Sequence, residues 1–134
     1  MDQTLILIKP NATRRNLIGE IIKMLEDNRF EIKHLKSFNI SDDLAAEFYK
    51  EHIGKNFYQD LVKFMQSGRI IGAVLKKENA VEDLRKLAGK TNPKDADPGT
   101  IRYLYGESVQ RNAVHASDST NSAKREIKLI FPEI

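Results

Sequence analysis

The strongest candidate for covalent chemistry in this chain is His115, in the run Asn112-Ala113-Val114-His115-Ala116-Ser117-Asp118-Ser119. It stands between a short apolar, strand-like segment and a row of hydroxyl and carboxylate side chains. An amphipathic helical pattern follows at once. An imidazole at such a strand-to-helix corner suits a nucleophile, because near neutral pH it is partly uncharged and keeps a free lone pair. The chain has no cysteine to compete for the role.

A phosphohistidine mechanism needs a group to orient the imidazole, cations for the travelling phosphoryl charge, and a holder for the donor. Glu126, placed about one turn inside the following helix, can reach back to the corner, where a carboxylate on one ring nitrogen fixes the tautomer and frees the other. Ser117 can hydrogen-bond the same group. Ser117 and Ser119 also read as helix caps, and Glu126 as a solvated helix residue. Lys9, Arg85 and Arg102 are the cation candidates, and Thr91 offers a hydroxyl; taken singly, each cation also reads as a surface charge. His34 and His52 lack comparable neighbours and receive no role.

Other chemistries find less support. There is no G-x-x-x-x-G-K-[ST] and no G-x-G-x-x-G, so any nucleotide would be bound without a P-loop or a Rossmann turn. No His or carboxylate cluster has metal-ligand spacing, so a Mg²⁺ would have to arrive with nucleotide phosphates. The formal net charge of +3 comes from basic residues scattered along the chain rather than grouped with aromatics, against a nucleic-acid groove. The apolar run Leu5-Ile6-Leu7-Ile8 is far short of the roughly 18 residues that span a bilayer. No secretory leader is visible, and with no cysteine there is no disulfide; a cytoplasmic location is expected.

The elements that must position these groups follow from hydropathy. The 134 residues suffice for one domain, 1–134. Residues 4–9 form a continuous apolar run, hence a strand buried on both faces. Leu17, Ile18, Ile21, Ile22 and Leu25 recur at helical spacing and end near Asn28. Residues 30–40 read as a strand with a bulge near His34 and Leu35. Helical pieces are expected over 42–51 and 58–66, a buried strand over 70–75, and a helix over 78–88 that stops at Gly89. Residues 89–100 read as a long functional loop. A strand over 112–115 and a helix from about Ser119 complete the order. It predicts an α/β plait of ferredoxin-like form: a four-stranded antiparallel sheet with helices on one face. The other face needs cover from the intervening helices, a partner subunit, or both.

Over nearly its whole length the chain resembles nucleoside diphosphate kinases. The resemblance rests on Ile8-Lys9-Pro10-Asn11-Ala12, Gly19-Glu20-Ile21-Ile22, Phe48-Tyr49 with Phe57, and Leu61-Val62-Lys63-Phe64-Met65-Gln66-Ser67-Gly68. It continues in Gly89-Lys90-Thr91-Asn92-Pro93, Pro98-Gly99-Thr100-Ile101-Arg102 and the His115 segment. The resemblance implies Mg²⁺-dependent, ping-pong transfer of a γ-phosphoryl from ATP or another nucleoside triphosphate to a nucleoside diphosphate, with His115 as carrier. It implies that Lys9 and Asn112 contact the ribose, that Phe57 stacks on the base, and that Arg85, Thr91 and Arg102 hold phosphates. Tyr49 would lie beside the transferred group, and Glu126 and Ser117 would orient His115. It further implies a homo-oligomer, a tetramer or hexamer assembled from dimers. The chain departs from the family pattern at Arg69, Tyr103-Leu104-Tyr105, Gln110 and Ala116.

Overall fold

The computed structural model describes residues 2–134. Its centre is a four-stranded antiparallel sheet of β1 (Asp2–Ile8), β2 (Glu31–Phe38), β3 (Ile70–Lys77) and β4 (Val114–Ala116), in the spatial order β2-β3-β1-β4. β1 and β3 lie in the middle and are the apolar runs of the sequence, as expected of strands covered on both faces. The helices are α1 (Pro10–Thr13), α2 (Ile18–Asp27), α3 (Asp42–Phe48), α4 (Tyr58–Met65), α5 (Ala80–Ala88), α6 (Ile101–Tyr105) and α7 (Thr120–Ile130). The plait expected from the sequence is therefore the fold observed.

One expectation is corrected: helices cover both faces, not one. Alternation along β1 sends Ile6 and Ile8 to one side, against Ile21 and Leu25 of α2 and Leu84 of α5. It sends Leu5 and Leu7 to the other, against Phe48 of α3, Phe64 of α4 and Ile127 of α7. Each large aliphatic side chain buried in this way contributes about 1.5–3 kcal/mol. The intervening helices, together with α7, thus do the covering that the sequence left open between them and a partner.

The boundaries also move. The bulge falls between Ile32 and His34, just before the predicted place. The helix expected over 42–51 stops at Phe48, and a short 3₁₀ turn, Lys50–His52, follows. The stretch expected to be a structureless loop contains a 3₁₀ turn, Pro93–Asp95, and leads into α6, which periodicity missed because it is only five residues long. Arg102 therefore sits on a helix rather than at a loop end. The last strand starts at Val114, later than expected. Ser119 caps α7 as expected, accepting from Ser122 N at 3.0 Å, and Ser41 caps α3, accepting from Leu44 N at 3.1 Å.

Candidate active site

His115 occupies the middle of β4, paired with Leu7 of β1. Strand alternation turns its neighbours Val114 and Ala116 into the α2/α5 core and leaves the imidazole on the opposite side. There it packs roughly perpendicular to the Phe48 ring, with centroids 5.0 Å apart and an interplanar angle of 71°. Nε2 lies 2.8 Å from Oε1 of Glu126, and the same oxygen accepts from Ser117 Oγ at 2.7 Å. Glu126 sits in the second turn of α7, deeper than the single turn expected, and only 7% of it is exposed. With Nε2–H donated to the carboxylate, Nδ1 holds the lone pair. The solvated reading of Glu126 and the capping reading of Ser117 are both excluded by this geometry; Ser119 is the cap.

A cavity of about 660 Å³ opens over the imidazole, and every site residue named from the sequence except Ser117 lines it. Ser117 is fully buried behind Glu126. One wall comes from the end of α3 and the following turn: Phe48, Tyr49, His52 and Phe57. Another comes from α5 and α6 with the segment between them: Arg85, Thr91 and Arg102. The loop before β4 gives Val109, Gln110 and Asn112.

Lys9 follows the last residue of β1 and is buried. Its Nζ donates to Asn112 Oδ1 at 2.8 Å and reaches the Gln110 carbonyl at 3.4 Å. Asn112 in turn donates to the Thr91 carbonyl at 3.0 Å. Burial, and then the nearby Arg102 guanidinium, pull the Lys9 ammonium down to about 7. Arg102 is itself brought down to about 10 by burial and by Arg85. It is aimed by its bonds to the Gly89 carbonyl at 2.8 Å and the Val114 carbonyl at 3.0 Å. Three cations thus converge on one end of the cavity.

The opposite end is aromatic and half open. Phe57 is 46% exposed, and its ring centroid lies 5.2 Å from that of His52. Tyr49 stacks on His52 at 6.3 Å. Burial, and then the charge of Glu126, push the Tyr49 phenol above its ordinary range. Tyr49 Oη, His52 Nδ1 and Arg102 Nε are buried without a hydrogen-bond partner in the protein. Buried polar atoms are rarely left so, and these three belong to one cavity.

The backbone between Asn112 and His115 is strained. Val114 N bonds back to the Asn112 carbonyl at 3.0 Å, and the intervening Ala113 adopts φ +77°. A γ-turn with positive φ is costly for a residue with a Cβ. It is held by Lys9 N on the Ala113 carbonyl at 2.8 Å.

The sequence missed His52 and Asp118. Asp118 faces the cavity beside His115 and Arg85, and hydrogen bonds from Ser122 and Ser119 hold its carboxyl below the usual range. His52 had one available signal, its spacing of three residues from Tyr49 within a helical stretch, which puts both on one side.

The chain matches the family model described as nucleoside diphosphate kinase over residues 2–134. A nucleoside diphosphate kinase of Methanocaldococcus jannaschii is 47% identical over 132 residues, covering 98% of this chain and 94% of the relative. One from Actinobacillus pleuropneumoniae serotype 3 is 50% identical over 131 residues, covering 98% and 95%. The crystal structure of the Aquifex aeolicus nucleoside diphosphate kinase superposes with a TM-score of 0.94 at 40% identity, over 97% of this chain and 94% of that one. That of Encephalitozoon cuniculi gives 0.95 at 36% identity, over 98% and 89%. The whole-length family match, the relatives at 47–50% identity and the two superposed structures agree: the chain belongs to the nucleoside diphosphate kinase family.

Proposed function

We propose that this nucleoside diphosphate kinase works by a ping-pong reaction through a phosphohistidine at Nδ1 of His115. The observation that carries the proposal is the Nε2–Glu126 contact at 2.8 Å, which fixes the tautomer and leaves Nδ1 as the free nitrogen. In the first half-reaction the Nδ1 lone pair attacks the γ-phosphorus of a nucleoside triphosphate. The bond from that phosphorus to its bridging oxygen breaks, and the nucleoside diphosphate leaves with the electron pair. Nε2 keeps its proton, and Glu126 balances the charge that the ring acquires. The second half-reaction reverses this on a new diphosphate, whose terminal oxygen attacks the phosphohistidine.

Arg85, Arg102 and Thr91 bind the phosphate oxygens, where spread charge makes positioning and electrostatics most of the catalysis. Tyr49 offers its unpartnered hydroxyl beside the transferred group. Lys9 and Asn112 hold the ribose hydroxyls, Lys9 also lying near the phosphoryl. Phe57 stacks on the base, and because every base has a π-face, stacking gives broad base tolerance. Mg²⁺ enters as part of the nucleotide substrate. Asp118 is an exposed carboxylate lining the same cavity, and among the described residues no three-residue metal cluster is present.

The protein is proposed to act in the cytoplasm as a homo-oligomer, a tetramer or hexamer of dimers, whose mass light scattering measures. Among the described residues no helix is long and apolar enough to cross a membrane.

The decisive experiment is labelling with γ-³²P-ATP. Acid-labile, base-stable label should enter the protein and leave when a nucleoside diphosphate is added. His115→Ala should fold and take up none; label retained in that variant overturns the carrier assignment.

A further inference from the structure

We infer that Asn11 is a positioning residue, whose buried amide locks the loop 106–113 so that Asn112 meets Lys9 in the cavity. The inference rests on the ribose-holding role proposed above for Lys9 and Asn112.

Asn11 follows Lys9 by two residues and is 2% exposed. Its Nδ2 donates across the chain to the Arg111 carbonyl at 3.0 Å and to Glu107 Oε1 at 3.2 Å. Both partners are acceptors, so the orientation of the amide is not arbitrary. Its own Oδ1 is buried with no partner. A buried oxygen left unsatisfied costs stability, so the side chain is kept for its NH₂ group.

That NH₂ grips the point where the loop closes on itself. The Arg111 carbonyl also accepts from Glu107 N at 2.7 Å and Ser108 N at 3.3 Å. Arg15 ties the same place from outside, donating to the Asn11 carbonyl at 2.9 Å and to the Tyr105 carbonyl, and pairing with Glu107 at 3.5 Å. The residue after Arg111 is Asn112, and the one before is Gln110, whose carbonyl lies by Lys9 Nζ. No regular helix or strand stiffens residues 106–113, so their placement depends on such bonds: Asn112 is tied to the Thr91 carbonyl and Ala113 to Lys9 N at one end, and Asn11 holds the turn at Arg111. Aspartate at position 11 would have the same shape but would turn a carboxylate onto two acceptors.

The test compares kcat/KM for a nucleoside triphosphate with that for its 2′,3′-dideoxy counterpart. In wild type, loss of the hydroxyls should lower kcat/KM, and Asn112→Ala should shrink that difference. Asn11→Ala and Asn11→Asp should shrink it too, by about five- to tenfold, and Asn11→Ala should add nothing further in an Asn112→Ala background. Glu107→Ala, a change at a half-exposed side chain, should fold and reduce the difference in the same direction. Glu107→Gln, which keeps an acceptor oxygen, should restore it. Thermal unfolding is read alongside. Equal losses on both substrates in Asn11→Ala, or effects additive with Asn112→Ala, overturn the inference while leaving the ribose reading intact. A ratio unchanged in Asn112→Ala overturns the ribose reading and the inference with it.

Discussion

His115 turns its Nε2 onto Oε1 of Glu126 at 2.8 Å, and Ser117 donates to the same oxygen at 2.7 Å. One carboxylate oxygen therefore sets the tautomer of the imidazole and is itself held in place. Glu126→Gln can present its NH₂ to Nε2 and move the ring proton to Nδ1. The expected loss in kcat is about 10²- to 10⁴-fold with KM little changed. Stopped-flow measurement of His115 phosphorylation checks it; a loss confined to KM would refute the orienting role.

His115→Ala removes the nucleophile and should lower kcat by roughly 10⁴-fold or more while nucleotide binding persists. Fluorescent-nucleotide titration beside the coupled assay separates the two. Lost binding with unfolding would show that the histidine is structural.

Lys9, brought to about 7 by burial and by Arg102, makes nucleotide affinity depend on pH. Phosphates favour the ammonium, so the pKa rises in the complex and binding above pH 7 takes up a proton. Affinity should fall by up to about tenfold per pH unit above 7, until the pKa of the complex is reached. The free protein responds in the opposite sense. Between about 7 and the ordinary 10.5 the unfolded chain binds more protons at this group than the folded one, so Lys9 adds stability as pH rises through that window. Calorimetry at pH 8 in buffers of different ionisation enthalpy reads the proton uptake, which Lys9→Met should abolish; uptake that persists in the variant refutes the assignment.

Phe57→Ala should raise KM for every nucleoside diphosphate by a similar factor, because stacking is worth about 1–3 kcal/mol and is tolerant of base identity. Steady-state kinetics with adenine, guanine and pyrimidine nucleotides test this. A loss restricted to one base would mean that the ring reads an edge rather than a face.

Gly89→Ala should damage stability and phosphate binding together. Gly89 has φ +88° and ψ 175°, a region open essentially to glycine alone, and a Cβ there would sit 2.6 Å from Thr100 Oγ1. The cost is about 1–3 kcal/mol from the backbone alone. Its carbonyl also aims Arg102, so KM should rise too. Chemical denaturation and KM measured on one preparation check both; an unperturbed Tm would show that the turn can rearrange.

Local features of the sequence determined a good deal. The apolar runs of β1 and β3, the helical spacing of α2 and the cap at Ser119 are set by neighbours within a few residues, and they appear close to where the sequence pattern put them. The motif residues also pointed to His115, Glu126 and the cations Lys9, Arg85 and Arg102, which the structure brings to one cavity. The tertiary structure decided what lies between distant residues. Which side of β4 carries His115 follows from its register against β1, and which nitrogen is held follows from where α7 packs. Lys9 meets Asn112 across 103 residues of chain, a distance that no spacing rule reads. His52 has no telling neighbours along the chain, and only the turn after α3 folds it between Tyr49 and Phe57. Secondary structure is written in short-range periodicity, whereas a site assembled from strand ends, helix faces and loops exists only once sheet register and helix packing have fixed those parts in space.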